Sequence, residues 1–517
     1  MARHDFFRNL TFFHLFSSVL CFYLLMTSFA FAIENEQSII DPEKLHIGLT
    51  LEPTSLDPTT DASAVIQRIT YQNIFEGLTQ INQKGQVLPS LAKSWVVSDD
   101  GLTYTFLLHE NVYFHNGVLL TADIVRSSLL RLTSKDSKNS IKHKFTHINT
   151  ITVNNDNEVE VQLQWPDIHF LFNLGLGCAV IQEPKSYSTN SQKPTGTGPY
   201  IFQEWEKGNF LKLRANPNYW QTLPSIKQVL ITFAPTRSEV VELLAQSTID
   251  GYDNMSEINF LQTLSTQSRY QQVFGQTQGE IIIAFNHANK MLASLPIRKA
   301  ISYAIDKNKI KSNLYFGESE LISSFFPASH EASLHLSEGY SFNLDKAKSL
   351  MGGNKVAIKP LRLIIPPTTY ARYIGVYIPQ MLEQINIPVT VESLTWEEWT
   401  KRVYIDKDYD LSVVAHTEAN DLEIFAKDNY YFNYSNVEYK QLMKKLMQTT
   451  QQLQRNPLLK KAQRLLIEDA ASVFLMMLPK TGIWDSRLQG YWIDEPLPAL
   501  IFSQISWRSK TMNVVVQ

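Results

Sequence analysis

Residues 90–117 read SLAKSWVVSDDGLTYTFLLHENVYFHNG, and this stretch decides how the surrounding chain folds. Residues 95–97 are typical of a short strand, and 98–101 (SDDG) are typical of a turn because Asp-Gly tolerates left-handed backbone. The run 103–108 predicts a return strand, and Thr121 is placed to cap a helix after a second turn. We expect a small α+β domain in which four aromatic residues pack the scaffold rather than contact a ligand: Trp95, Tyr104, Phe106 and Phe114.

The composition is that of an ordinary folded protein. The chain has 517 residues, of which 44% are hydrophobic and 19% are charged. This length is enough for about three domains. The formal net charge of −3 lacks the basic excess expected of a general nucleic-acid binder. We therefore expect no nucleic-acid partner.

The N-terminus has the layout of a secretory signal peptide. Arg3 and Arg8 precede a long apolar run that ends in Ala-Phe-Ala at 30–32, a cleavage pattern. Residues 1–32 are predicted to be removed on export. An uncleaved membrane anchor is the alternative, because the run is long enough to span a bilayer. Cleavage leaves Cys178 without an intramolecular partner, so the core and not a disulfide would hold the exported protein.

The second half of the chain follows a different pattern. Three predicted strands alternate with two predicted helices, the first of which is interrupted at Pro379. The strands lie at 361–365, 387–394 and 410–415. This β-α-β-α-β order is typical of an open, mainly parallel sheet. Ligands of such sheets bind at the carboxyl ends of the strands, which places a crevice near 366–370 and 415–421.

The sequence lacks the common motifs of catalysis and of cofactor binding. The sequence contains no H-E-x-x-H, G-x-S-x-G or Walker A pattern. We therefore predict that the protein is not an enzyme and carries no cofactor. His143 and His147 have i,i+4 spacing, but Lys142 and Lys144 accompany them. A solvated face explains this pair better than a metal site.

The stretch 90–125 resembles the signature of the bacterial extracellular solute-binding proteins, family 5, which serve dipeptide, oligopeptide and nickel ABC importers. Each further motif is weak alone, but the set follows the family order along nearly the whole mature chain. The motifs are LEPTSLDP (51–58), YQNIFEGL (71–78), GTGPYIF (196–202), LRANPNYW (213–220), AFN (284–286), IRKAISYAIDKNKI (297–310), LDKAKSLM (344–351) and FNYSNVEYKQLM (432–443).

The resemblance implies a periplasmic-binding-protein type II fold. This is an α/β fold of two lobes with an additional α+β domain and a ligand cleft between the lobes. The first lobe is then assembled from three pieces at 33–65, 195–285 and 475–517. The additional domain spans 66–194, and the second lobe spans 286–474. Two such lobes enclose a solute by closing about a hinge.

The resemblance also implies where a peptide amine binds. Closure removes water from the ligand, so each charge on the ligand needs a partner. In peptide-binding members this partner is an aspartate, three residues after a tryptophan that follows the buried strand of the second lobe. Here His416 stands at the tryptophan position and Ala419 at the aspartate position, so the amine contact is expected at Glu418 or Asp421. Both acids could instead cap the following helix. His416 could stack over the pocket, bind a metal complex or lie on the surface.

Five further residues are candidate ligand contacts. Arg402 and Arg372 are candidate partners of a ligand carboxylate, although both also suit a plain surface position. Glu52 ends the first predicted strand, at the inter-lobe edge implied by the resemblance. Tyr431 and Tyr434 follow the loop after the buried strand of the second lobe. No residue is predicted to be a direct metal ligand.

The leading functional hypothesis is a periplasmic solute-binding protein of an ABC importer. It would capture short peptides by hinge closure and deliver them to the permease subunits in the inner membrane. A nickel or metallophore carrier of the same family is the alternative, because His416 could bind a metal complex. A secreted peptide hydrolase is a third alternative, which the missing catalytic motifs oppose. A monomer is the family expectation.

Overall fold

The computed structural model describes residues 41–61, 63–253, 269–314, 317–327, 330–352, 359–417, 421–449 and 452–508. The predicted signal peptide, 1–32, lies outside these residues. The strands are β1 Lys44–Leu49, β2 Thr79–Ile81, β3 Val87–Pro89, β4 Ala92–Val97, β5 Thr103–Leu108, β6 Ile148–Asn155, β7 Glu158–Leu163, β8 Tyr200–Glu206, β9 Phe210–Ala215, β10 Gln228–Phe233, β11 Gly251–Asp253, β12 Tyr270–Phe285, β13 Leu361–Ile365, β14 Val389–Ser393, β15 Leu411–His416, β16 Ser472–Asp485, β17 Leu488–Gln489 and β18 Ser506–Trp507.

Helices connect and cover these strands. The α-helices are α1 Ala64–Thr70, α2 Ala122–Thr133, α3 Phe170–Leu174, α4 Arg237–Ala245, α5 Leu295–Ala304, α6 Lys307–Asn313, α7 Leu344–Met351, α8 Thr369–Glu383, α9 Trp396–Trp399, α10 Val437–Gln448 and α11 Gln452–Glu468. A π-helix, Thr400–Ile405, continues α9, and a 3-10 helix, Asp421–Ala426, follows β15. No helix among the described residues is long and apolar enough to span a bilayer.

The aromatic stretch forms the expected scaffold. β4 and β5 pair antiparallel around a turn in which the amide of Gly101 donates to the carbonyl of Ser98 at 2.8 Å. Gly101 has a φ of +70°, which is why glycine suits this turn. The two strands belong to a four-stranded sheet, β4-β5-β7-β6, covered by α2. Three of the four aromatic residues are buried in its core and Trp95 packs against it, so these residues pack the scaffold as predicted.

Within the described residues, the main sheet has ten strands in the order β14-β13-β15-β12-β16-β11-β1-β10-β9-β8. β13, β14 and β15 are parallel, as predicted, and so are β1 and β11. The prediction of a mainly parallel sheet is nevertheless wrong for the sheet as a whole. β12 and β16 pair antiparallel with each other and with their outer neighbours, and β8, β9 and β10 are antiparallel as well. The pattern 361–415 could not predict this, because those antiparallel strands come from elsewhere in the chain.

Pro379 does not interrupt its helix. α8 runs through it from Thr369 to Glu383, capped by the Thr368 side chain. A proline removes one helical hydrogen bond and disturbs the preceding turn. The apolar face of α8, which includes Ile374 and Ile378, is buried in the core that also holds β13 and β15. We attribute the continuity of the helix to this packing, which outweighs the lost hydrogen bond.

Candidate functional site

The two longest strands, β12 and β16, form what we call the central ribbon of the sheet. β15 pairs with β12 as far as His416, opposite Glu280, and β11 pairs with β16 as far as Asp253, opposite Gly482. Because β12 and β16 are antiparallel, β15 and β11 run in opposite directions. Their carboxyl ends therefore point toward each other across the ribbon. β13 and β14 share the direction of β15, and β1 shares that of β11.

Short segments brace the ribbon on its two edges. On the β16 edge, the amide of Met477 donates to the carbonyl of Glu320 at 2.7 Å. On the β12 edge, the amide of Glu495 donates to the carbonyl of Gln276 at 2.7 Å. The side chain of Gln276 also donates to the carboxylate of Glu320. The register of the ribbon shifts between Gln276 and Glu280, so the irregular part of the ribbon lies between the two facing strand ends.

His416 ends β15 within a group of aromatic rings. Its Nε2 is hydrogen-bonded to the Tyr431 hydroxyl at 2.9 Å, and the two rings are nearly parallel at an interplanar angle of 10°. Phe325 and Phe432 meet the imidazole edge-on. Tyr431 is buried, whereas Tyr430 and His416 are half-buried. A neighbouring phenol therefore holds the His416 ring in place, and the three roles proposed for His416 stay predictions.

The other predicted residues after β15 are placed differently. Tyr434 is buried, and its hydroxyl donates to Asp469 at 2.6 Å. Burial and the Asp469 carboxylate raise the pKa of Tyr434, so its hydroxyl stays protonated. Asp421 begins the 3-10 helix Asp421–Ala426. Glu418 lies outside the described residues.

The two predicted arginines differ in their partners. Arg402, on the π-helix, pairs with Glu392 at 2.7 Å and with Asp408 at 3.2 Å. Hydrogen bonding to Glu392 raises the pKa of Arg402, so this guanidinium is already engaged at the surface. Arg372 lies exposed in the first turn of α8, just after the carboxyl end of β13. It makes no ion pair within the described part of the chain.

Glu52 follows the end of β1 and holds a neighbouring hairpin. Its carboxylate accepts from the indole Nε1 of Trp205 at 2.9 Å and from the amide of Gly208 at 2.9 Å. Trp205 and Gly208 belong to the hairpin of β8 and β9. Glu52 therefore fixes this hairpin beside the loop that follows β1.

Comparison with models of protein families identifies the family of this chain. The model of the bacterial extracellular solute-binding proteins, family 5 (middle region), matches residues 86–436. The chain belongs to this family. The oligopeptide-binding protein AppA of Bacillus subtilis is 24% identical to this family 5 protein, over 86% of this chain and 88% of AppA.

Solved structures identify the fold. The periplasmic binding protein DppA of Helicobacter pylori, in complex with the peptide STSA, matches with a TM-score of 0.75 and 22% identity over 90% of this chain and 98% of DppA. NikZ of Campylobacter jejuni, in complex with Ni(L-His), matches with a TM-score of 0.73 and 21% identity over 90% of this chain and 100% of NikZ. The family 5 protein thus has the type II periplasmic-binding-protein fold. Members of its family are substrate-binding transport proteins.

Four charged residues on or beside the ribbon were not predicted from the sequence. Lys480 Nζ lies 3.3 Å from the Asp253 carboxylate and 3.5 Å from Glu495, and Arg68 pairs with both acids. Asp253 is fully buried and Glu495 is 6% exposed. Burial raises the pKa of Glu495 although Arg68 and Lys480 lower it. No spacing in the sequence links positions 68, 253, 480 and 495, so no pattern could have predicted this cluster.

Glu280 was also not predicted from the sequence. It is the second residue of the buried run of β12, after Gly279, and is itself 4% exposed. It lies in register with His416 on one side and with Met477 on the other. A charged residue directly before IIIAF is the one sequence signal that could have drawn attention to it.

Proposed function

We propose that this family 5 protein captures short peptides in the cleft between its lobes and delivers them to the permease subunits of an ABC importer in the inner membrane. The observation that carries the proposal is the pair of opposed strand ends, Asp253 and His416, on the two sides of the central ribbon. Open α/β sheets bind ligands at the carboxyl ends of their strands. A ligand between these ends would contact both lobes at once.

The ribbon is the proposed hinge. A hinge needs a few residues that absorb a change of backbone angle between two rigid bodies. The register shift between Gln276 and Glu280 supplies such a place. The proposed bodies are a first lobe of 33–65, 195–285 and 475–517, an additional domain of 66–194 and a second lobe of 286–474.

Peptide recognition at this cleft requires a partner for each terminal charge. We propose Glu418 or Asp421 for the amine, with Glu280 as a further carboxylate next to His416. We propose Arg372 for the peptide carboxylate in preference to Arg402, because Arg402 is held by two acids. The remaining predicted contacts have structural partners that support a positioning role: Glu52, Tyr431 and Tyr434.

Native mass spectrometry of the protein purified from its own periplasm tests the proposal. Denaturation should release a heterogeneous set of short peptides from the bound fraction. Release of a single non-peptide compound would overturn the peptide assignment and leave the transport assignment standing. N-terminal sequencing of the same sample tests export, since cleavage after Ala32 is expected. An intact Met1 would contradict it. The expected mass is that of a monomer.

A nickel complex is the second candidate ligand. The likeness to NikZ and the half-buried imidazole of His416 favour it. No group of three or more His, Cys, Asp or Glu side chains suited to a metal ion occurs among the described residues. A nickel ligand would therefore arrive as a complex with its own chelator. Elemental analysis of the purified protein, followed by a titration with nickel and histidine, distinguishes this case from peptide binding.

A further inference from the structure

The central ribbon consists of two braced halves. In the half that belongs to the proposed first lobe, β11 pairs with β16, and the segment 494–495 is hydrogen-bonded to β12. In the half that belongs to the proposed second lobe, β15 pairs with β12, and the segment 320–322 is hydrogen-bonded to β16. Each half is therefore held on both of its edges, and bending is easiest where the two halves meet.

The junction between the halves lacks regular strand pairing. Gln276 pairs with Pro479 and Glu280 pairs with Met477, so three residues of β12 lie opposite one residue of β16, Leu478. The proline has no amide hydrogen to donate to the ladder. Extra residues of this kind disrupt a ladder locally and bend the strand that carries them. The proposed hinge is thus confined to a few residues.

One side chain spans this junction. The Thr277 hydroxyl donates to the carbonyl of Leu478 at 2.6 Å and accepts from the amide of Gly279 at 2.9 Å. The first hydrogen bond joins β12 to β16 at the point where their backbone pairing is interrupted. The second hydrogen bond fixes the backbone of the extra residues. The hydroxyl therefore replaces the backbone groups that join the two strands elsewhere in the ribbon.

The backbone at the junction is also closely packed. A Cβ on Gly279 would lie 3.1 Å from both Thr277 Oγ1 and Leu478 Cβ, so the backbone has little room to turn independently of the hydroxyl. A further hydrogen bond, from the Gln276 side chain to the Glu320 carboxylate, also joins the two halves. It connects two long side chains, which can follow a change of angle. The short Thr277 side chain cannot.

We propose that Thr277 is a positioning residue whose hydroxyl sets the resting angle between the two lobes. The inference rests on the proposed function only in that it takes the ribbon as the hinge. Without the hydroxyl, the junction would adopt several angles, and the ligand-free protein would sample several lobe separations. Binding would then have to order the hinge, which lowers the affinity for a ligand in the cleft.

Distances between two spin labels, measured by double electron–electron resonance, test the proposal in the ligand-free protein. Gln203→Cys on β8 and Gln384→Cys after α8 place one label at an exposed position on each proposed lobe, and Cys178→Ala removes the buried native thiol. Thr277→Val should broaden the distance distribution about twofold or more. Thr277→Ser keeps the hydroxyl and should restore the wild-type width.

A matched control removes a threonine hydroxyl inside one lobe. Thr390 Oγ1 on β14 donates to the carbonyl of Leu361 at 3.5 Å, so Thr390→Val should leave the distance distribution unchanged. Calorimetry with a peptide that the wild type binds adds a second readout. Thr277→Val should weaken this peptide about fivefold, whereas Thr277→Ser and Thr390→Val should bind it as the wild type does.

Three results would overturn the proposal: a wild-type distance distribution in Thr277→Val, equal broadening in Thr277→Ser and Thr277→Val, or unchanged peptide affinity in Thr277→Val. Thr277→Ala provides the same comparison if Thr277→Val fails to fold. A wild-type protein that binds no peptide would contradict the proposed function. The label distances in the ligand-free protein would still test the role of the Thr277 hydroxyl.

Discussion

Asp253 and His416 end two strands that approach each other from opposite directions across one antiparallel ribbon. In the described part of the chain, the parallel strands on both sides of the ribbon therefore present their carboxyl ends to the proposed cleft. The charged and aromatic residues at these ends come from distant parts of the chain.

Lys480 is expected to be essential for stability. Among the described residues, Lys480→Met would leave the buried carboxylates of Asp253 and Glu495 with Arg68 as their remaining cation. Removing one partner of a buried ion pair costs about 3–5 kcal/mol, and urea unfolding would measure this loss. Lys212→Met is the matched control, since Lys212 pairs with Glu204 on the surface and should change stability by less than about 1 kcal/mol. Equal effects in both variants would refute a role for the cluster.

Glu76 should make stability fall as pH rises. It is fully buried and accepts from Thr197, Tyr219 and Trp220 at 2.7–3.0 Å. Burial raises its pKa from 4.5 to about 7, although these hydrogen bonds lower it. The folded state then keeps a proton that the unfolded chain has lost. The stabilisation is complete below pH 4.5 and disappears as pH rises through 7.

Glu76→Gln tests whether Glu76 makes stability fall as pH rises. The variant keeps a polar group of the same shape but cannot ionise, so the difference between its unfolding free energy and that of the wild type should change between about pH 4.5 and 7 in favour of the variant. Urea midpoints measured across this interval give the answer. Parallel curves for the two proteins would show that Glu76 does not titrate there.

Gly275 is expected to tolerate no side chain. A Cβ at this position would lie 1.9 Å from the backbone oxygen of Ile493, so the brace on the ribbon would have to move. Gly275→Ala should therefore lower stability by about 1–3 kcal/mol. Gly375→Ala is the control, because its Cβ would meet the flexible end of Ile365 at 3.2 Å and gain up to about 1 kcal/mol of helix propensity. A Gly275→Ala variant as stable as the wild type would contradict this packing.

Arg372 is expected to recognise the peptide carboxylate. Wild-type protein should bind a free peptide more tightly than its C-terminal amide, and Arg372→Gln should remove that preference while weakening the free peptide about tenfold. Calorimetry with both peptides would measure this. Arg126→Gln, an exposed arginine on α2, should leave both affinities unchanged. Loss of the preference in Arg402→Gln instead would reassign the role.

His416 distinguishes the two candidate ligands. His416→Phe keeps a ring against Tyr431 and Phe325 but loses the hydrogen bond to Tyr431. If the imidazole stacks on a peptide, affinity should change by less than about threefold in His416→Phe and fall about two- to tenfold in His416→Ala. If it binds a nickel complex, both variants should lose binding. Calorimetric titrations of each variant separate these outcomes.

The sequence predicted those parts of the fold that depend on local pattern. The hairpin around Gly101 and the three parallel strands of 361–415 follow from turn chemistry and hydrophobic runs. The mixed sheet could not be predicted from local pattern, because strands separated by about two hundred residues pair in the ribbon. The interruption predicted at Pro379 was wrong, because the packing of α8 outweighs the local helix-breaking tendency of proline.

The predicted strand ends, 365 and 415, lie within one residue of those in the structure, so the place of one side of the proposed cleft follows from the sequence. Arg402 illustrates the limit: its two acids lie at 392 and 408, and only the folded chain brings them within 3.2 Å. The cluster of Arg68, Asp253, Lys480 and Glu495 depends wholly on such long-range pairing. Glu418 stays a prediction.

The shared ribbon limits how new ligand specificities can arise among related proteins. β12 pairs with β15 of the proposed second lobe, β16 pairs with β11 of the proposed first lobe, and β12 and β16 pair with each other, so the two proposed lobes share one sheet and are not separable modules. A chimera made by one crossover would combine ribbon strands of different parents and mismatch their register. Recombination is therefore a poor route to new ligands in this architecture. Point substitutions in the loop after β13 would change the proposed cleft without disturbing the ribbon.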